Sequence, residues 1–372
     1  MKKIIYNLVA LVVVVLLFVF FPISEKNESP ENAVNYKAEI VKIVSESPDT
    51  DTQVLEVQFN EGENAGHNID VTEDSSVLSV PREFKAGDKV ILTGYTSENG
   101  ETFYYILDFQ RQNVLLWLFV VFVVLVLAIT GNQGAGSLIG MVFSFWVIFK
   151  IILPSILAGG SAIWAAVMGI LVIVPATFYL GHGINKKTTI AGVSTIVTLI
   201  GIGLMAKYFA GIGNLSGLSS EEINFLKLDT LMNIDVRGLV VAGMIIGILG
   251  ILDDVTISQA SVVQELKSAN KKMGFWELFA SAMRVGRDHI SSMVNTLVLI
   301  YAGSYMPLLL LFIDRSRAFI EVLNYEFVAE QIIATLVGSI GLVLAVPITT
   351  FFAALFLSKD APKDLHGHSH SH

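Results

Sequence analysis

The sequence predicts an all-α polytopic membrane bundle of about eight transmembrane helices, with a small extracytoplasmic β-barrel of the SH3 or OB type inserted after the first. Three observations carry this expectation. The 372 residues are 53% hydrophobic and 15% charged, with a mean hydropathy of +0.65, far more apolar than a soluble globular chain. The apolar residues come in runs near the ~20 residues of one crossing, and eight such runs take roughly 160 residues, leaving room for one soluble module. A single stretch, 24–110, has a different texture, with apolar and polar residues alternating between turn formers.

The first segment, 1–23, opens with Lys2 and Lys3 and runs apolar from Leu8 to Phe21 before Pro22. Signal peptides and membrane anchors both look like this. No small-residue A-x-A cleavage site follows the run, which favours an uncleaved anchor.

The 24–110 stretch holds 18 of the 33 acidic residues but only 6 of the 24 basic ones, a net of -12. The chain total of -9 therefore leaves +3 for everything else. Alternation over Tyr36 to Val44, Gln53 to Phe59, Lys89 to Tyr95 and Glu101 to Phe109 predicts short half-buried strands. Phe84-Lys85-Ala86-Gly87-Asp88-Lys89-Val90 reads as a tight turn into a strand. No stripe of aromatic and basic residues accompanies the strands, so nucleic acid is not an expected partner.

From 111 to 358 the sequence predicts seven more spans: Asn113 to Thr130, Ser137 to Leu157, Ile163 to Leu180, Thr188 to Phe209, Gly238 to Gln259, Ile290 to Ile313 and Gln331 to Leu357. Lys186, Lys187, Lys267, Lys271, Lys272, Arg284, Arg287, Lys359 and Lys363 then fall on the side of Lys2 and Lys3. By the positive-inside rule both termini are cytoplasmic and the barrel lies outside a bacterial inner membrane. Arg315 and Arg317 fall on the opposite side and oppose this placement. Between spans, Ser219 to Met232 reads as a capped interfacial helix, and Met273 to Val285 as a separate amphipathic one. Pro175, Pro307 and Pro347 lie inside spans as kink positions.

The polar residues inside the membrane are the candidates for function. Gly243, Gly247, Gly250, Asp254, Ser258 and Ser261 form one stripe at helical spacing. The glycines suit close helix packing. An ionised Asp facing lipid costs about 2.5 to 3.5 kcal/mol, so Asp254 should point inward, whereas Asp253 lies 100° around the helix and nearer the headgroups. In the next helix Asp288, Ser292 and Asn295 share a face. Asp254, Ser258, Asp288, Ser292 and Asn295, supplemented by Thr256 and Thr296, make a polar cluster suited to holding a cation or passing protons. The competing reading is structural: Asp253 and Asp254 end a helix at the interface, Asp288 is a first-turn acid favoured by the helix dipole, and Arg287 is an anchor. In the last span Gly338 and Gly341 form a second packing stripe.

The tail, 359–372, carries His366, His368, His370 and His372, which bind transition metals weakly. It is either a metal-sensing tail or incidental. The absence of cysteine removes disulfides, thiolate metal sites and cysteine nucleophiles. No P-loop, H-E-x-x-H or G-x-S-x-G motif occurs, so ATP-driven pumping and standard hydrolase chemistry lack support and no enzyme is expected.

Four motifs in order carry a resemblance: Asn233-Ile-Asp235-Val-Arg237-Gly238; the Gly-rich run into Asp254-Val-Thr-Ile-Ser258; Gly286-Arg-Asp288 through Asn295-Thr296-Leu to Tyr301-Ala-Gly303-Ser; and Leu336 to Pro347. Together they resemble the YibE/F family of polytopic bacterial membrane proteins, over most of the chain after Asn113. The resemblance implies a transporter-like protein and names no substrate. That pattern has an apolar residue before Asp254, where this chain has Asp253, so the resemblance gives Asp254 the family role.

These readings predict a secondary transporter or channel for a small ion or solute, coupled to protons or cations. A divalent metal held by oxygen ligands (Mg, Mn or Ca) is the sharper expectation, and a monovalent cation the broader one. The second class is a non-transporting scaffold or envelope-assembly factor whose barrel binds partners, alone or as a homo-oligomer. An intramembrane aspartyl hydrolase is a third, because paired Asp residues on adjacent helices also serve that chemistry; the Gly-rich surroundings it needs are missing around Asp288.

Overall fold

The computed structural model describes residues 33–47, 52–62, 64–74, 83–97, 102–219, 234–310, 313 and 318–358. The chain divides into two compact units between Leu125 and Val126, and each is taken by itself. The N-terminal anchor, most of the interfacial helix expected after Ser219, and the His-rich tail lie outside the described residues.

In the first unit the alternating segments form strands β1 (Ala33–Ser47), β2 (Thr52–Phe59), β4 (Lys89–Thr96) and β5 (Thr102–Phe109). A fifth strand, β3 (Asn68–Asp74), was not among the expected segments. Its alternating Ile69 and Val71 sit among Asn, Asp and Glu, residues with low strand preference. The strands make one antiparallel sheet in the order β3-β2-β1-β4-β5. Register shifts at Ile40/Lys42 and Ile43/Ser45 bend β1 along its pairing with β2, and a bulged strand bends and twists more than a regular one. The two edge strands approach without forming a ladder, giving a half-barrel.

Alternate residues of β2 (Leu55, Val57 and Phe59) meet Ile40, Leu92 and Phe84 in a buried core. The expected turn is present. Gly87 adopts φ +90°, which a residue without Cβ takes at little cost, and Asp88 Oδ2 accepts from Lys85 N at 2.8 Å.

A long helix, α1 (Gln112–Thr130), runs across the division. The second unit continues with α2 (Asn132–Val147), a π turn (Ile148–Ile152), α3 (Leu153–Leu157), α4 (Ala162–His182), α5 (Lys186–Ile212), α6 (Val236–Ala269), α7 (Phe275–Ser304), α8 (Met306–Leu309), α9 (Phe319–Leu323) and α10 (Glu326–Ser358). Six stretches among the described residues are long and apolar enough to cross a membrane: α1, α2 through α3, α4, α5, α6 and α10. They match six of the eight expected spans.

The seventh expectation is corrected. The expected surface helix, Met273 to Val285, and the span expected from Ile290 do not begin as two separate helices. They are one helix, α7, that stops at Ser304, and Pro307 falls in the short α8. The backbone stays helical through Gly286 to His289, whereas Pro307 has no N–H to carry the helical ladder back to Gly303 O and its ring crowds that carbonyl. The polar residues Asp288, Ser292 and Asn295 leave α7 without an apolar stretch of spanning quality.

α5, α6 and α10 pack pairwise as the centre of this unit; α4 lies on α5 and α6, α2 on α4, and α7 on α6 and α10. Lipid is as apolar as leucine, so close packing must hold such helices together. A Cβ at Gly338 would lie 3.4 Å from Ile248 Cγ1, and one at Gly341 would collide with Ile202. At Gly338 and Gly341 α10 therefore lies against Ile248 of α6 and Ile202 of α5. Gly243, Gly247 and Gly250 of α6 are exposed instead, and a Cβ on any of them would meet nothing within 4 Å among the described residues. The bundle turns the other faces of α6 toward α5, α10 and α4, which leaves the glycine edge without a packed neighbour among the described residues.

Candidate functional site

A cavity of 470 Å³ opens between α2, α4 and α6, and its polar lining consists of Ser137, Ser144, Thr177, His182, Asp253 and Asp254. Glycine builds one wall. A Cβ at Gly136 would run into the Leu180 carbonyl oxygen, and one at Gly140 would sit 3.3 Å from Thr177 Cα. Only at residues without a side chain can the α2 and α4 backbones come this close. Ser137 and Thr177 thereby face the same space. Two of the hydroxyls are tethered to their own helices, Ser144 Oγ donating to Gly140 O at 2.9 Å and Thr177 Oγ1 to Ile173 O at 3.0 Å. Their lone pairs remain available to a ligand. The π turn after α2 begins at Ile148, itself a lining residue; such turns are frequent at functional sites.

The two carboxylates differ in setting. Asp254 is exposed toward the cavity, while Asp253 is half-buried and its Oδ1 is buried without a hydrogen-bond partner among the described residues. Asp253, expected nearer the headgroups, therefore has the more enclosed position. Adjacent residues on a helix point about 100° apart, but the cavity is wide enough to touch both.

The structure does not bring the rest of the expected cluster to this cavity. Ser258 is exposed on α6 beyond it. Asp288, Ser292, Asn295 and Thr296 are exposed on α7, which packs on α6 and α10 rather than beside α2 and α4. Thr296 Oγ1 donates to Ser292 O at 3.1 Å. Thr256 is fully buried on another face of α6, and its hydroxyl meets that of Thr195 at 2.8 Å across the α5–α6 interface. Among the described residues no group of three His, Cys, Asp or Glu could hold a metal ion, and His366, His368, His370 and His372 are outside them.

Sequence reasoning missed Ser137, Ser144, Thr177 and His182, because nothing in α2 or α4 taken singly marks those positions. It also missed two polar networks. Gln259 is 2% exposed, and its Nε2 donates to Thr350 Oγ1 at 2.7 Å and Ala282 O at 3.2 Å, joining α6, α10 and α7. Its signal was an amide at the end of an apolar span, where burial demands partners. At the start of α10 the Glu326 carboxylate accepts from Ser216 N, from Ser216 Oγ at 2.8 Å and from Gly217 N at 2.8 Å. Arg237 Nε holds the same loop at Leu215 O, 2.6 Å away.

Apolar helices of spanning length around a polar cavity define a multi-pass α-helical membrane protein carrying a half-barrel sheet. A family model described as YibE/F-like protein matches residues 118–359, and the chain belongs to that family. No curated protein and no solved structure matches it.

Proposed function

We propose that this protein is a secondary transporter or channel that moves a small cation, or a solute coupled to protons or cations, through the cavity between α2, α4 and α6. The observation that carries this reading is the pairing of Asp253 and Asp254 in one cavity with the hydroxyls of Ser137, Ser144 and Thr177. A carboxylate within a membrane helix is costly to keep and marks an ion pathway by default. The unpartnered Asp253 Oδ1 supplies an acceptor where a proton or cation would sit. Oxygen donors suit hard cations. Asp253, Asp254 and His182 line the cavity without converging as a three-ligand metal set among the described residues, so a proton or monovalent cation fits better than a tightly held divalent metal. In this reading the protein is not an enzyme. Its basic helix ends face the cytoplasm of a bacterial inner membrane, and the acidic half-barrel lies outside. The π turn and Pro175 supply the irregular backbone that a rocking helix pair needs.

The scaffold reading, with the half-barrel recruiting envelope partners, is the second reading. Ion and proton fluxes of the full chain in proteoliposomes separate the two. Flux lost in Asp253→Asn or Asp254→Asn supports transport; no flux under any imposed gradient moves the assignment to the scaffold.

A further inference from the structure

A second cavity, of 450 Å³, opens where α5 begins and α6 ends. Four lysines line it, Lys186 and Lys187 from α5 and Lys267 and Lys271 from the end of α6 and the turn beyond; Ser268 and Leu357 are part of the same wall, which has no carboxylate among the described residues. The sequence treated these lysines only as markers of orientation. Folding brings them from two places in the chain around one hollow.

Two local features shape it. Asn185 Oδ1 accepts from Thr188 N at 2.9 Å and from Thr188 Oγ1 at 3.0 Å, fixing the first turn of α5 at the rim. The N-terminus of a 27-residue helix adds partial positive charge to that of the lysines. Lys267 Nζ donates to Lys271 O at 2.8 Å and to Met273 O at 2.9 Å, so the turn after α6 is folded back with its charge in the wall. The start of α7 follows directly, with Trp276 75% exposed and stacked edge-on against Phe275 and Phe279. Trp is enriched at the headgroup level of membrane proteins.

We propose that this cavity lies at that depth and binds a phosphate group, presented by the headgroup of an anionic phospholipid. Basic pockets between membrane helices recognise such headgroups through charge and hydrogen bonds, and Leu357 gives the acyl side an apolar edge. Free phosphate carries the same chemistry, and the experiment separates the two sources. The site is distinct from the carboxylate cavity and stands whether or not the chain transports an ion.

The test uses the full chain, purified in detergent and stripped of lipid. Native mass spectrometry and thermal melting are run with phosphatidylglycerol, with phosphatidylcholine and with inorganic phosphate. Retention of phosphatidylglycerol at least about tenfold above phosphatidylcholine, falling to the phosphatidylcholine level in a Lys186→Gln, Lys187→Gln, Lys271→Gln variant, supports the lipid site. Lys267 is left intact because it holds the turn. A Lys150→Gln, Lys207→Gln variant controls for charge and should bind as the parent does. Stabilisation by inorganic phosphate without selective lipid retention, lost in the triple variant, keeps the phosphate site but assigns it to the free anion. If the triple variant melts like the parent yet retains the anionic lipid equally, or if neither ligand binds the parent selectively, the proposal is overturned.

Discussion

Gln259 and Thr350, 91 positions apart in the chain, share a 2.7 Å hydrogen bond at the point where α6, α7 and α10 meet. Both side chains are buried. Thr350 Oγ1 also donates back to Val346 O at 2.7 Å, so its own donor is satisfied within α10. The two ends of this bond are therefore not equivalent. Thr350→Val removes the acceptor and leaves the Gln259 amide short of a partner, which costs about 1–3 kcal/mol. Gln259→Leu keeps the volume and leaves Thr350 with its helical bond, so it should cost less. Melting of the two purified variants checks the order; equal losses would refute it.

Glycine substitutions should divide by position. Gly286 lies where a Cβ would stand 2.5 Å from Val346 Cγ1 and 3.0 Å from Gln259 Nε2. Overpacking of this kind costs about 1–3 kcal/mol, so Gly286→Ala should lower the melting temperature by several degrees. Gly247 meets nothing within 4 Å, and Gly247→Ala should change stability by less than about 0.5 kcal/mol. A large loss at Gly247 would mean that another surface packs there.

Asp253 and Asp254 line the α2–α4–α6 cavity, and Asp288 does not. If flux runs through that cavity, Asp253→Asn and Asp254→Asn should each lower it by about tenfold or more, the effect of losing ~1.4 kcal/mol of ion stabilisation. Asp288→Asn should retain flux near the parent level. Proteoliposome flux on matched amounts of folded protein measures this, and a flux loss confined to Asp288→Asn would move the pathway to α7.

Within the half-barrel, Glu56 Oε2 pairs with Lys42 Nζ at 2.7 Å, and its Oε1 accepts from Asn68 Nδ2 at 2.7 Å. The Lys42 hydrogen bond and then that of Asn68 hold the Glu56 carboxyl below its ordinary value of 4.5. A carboxyl depressed in the folded state adds stability that is present above the unfolded value and lost as the pH falls through the folded one. The Lys42 end of the pair is exposed to solvent, so the gain is small, and the measurable quantity is the titration itself. Carboxyl carbon NMR should place Glu56 below an ordinary glutamate, and Lys42→Met should move it upward.

The Glu326 clamp should be visible in backbone protection. Gly217 N donates to Glu326 Oε1 at 2.8 Å. In Glu326→Ala that amide loses its acceptor, and its hydrogen exchange should quicken while the buried amides of α5 keep their protection. Unchanged exchange at Gly217 would count against the clamp.

Among the described residues, the sequence by itself determined six apolar helical stretches and four of the five strands. Both follow from periodicity, which one strip of chain carries alone: runs of spanning length for α1 to α6 and α10, and alternation for β1, β2, β4 and β5. It also picked out Asp254, because an acid in an apolar run is conspicuous locally. Only the tertiary structure decided which face of α6 is covered. The glycine stripe looked like a packing surface, but Gly243, Gly247 and Gly250 are exposed and Ile248 and Leu252 pack instead, because contact with α4, α5 and α10 outweighs any single-helix pattern. The same packing moved Thr256 out of the expected cluster to Thr195, separated Asp288 from Asp254's cavity, and supplied Ser137, Ser144, Thr177 and His182 from helices remote in sequence. A cavity and a lysine pocket are properties of several helices at once, and no local pattern in one helix encodes where another will stand.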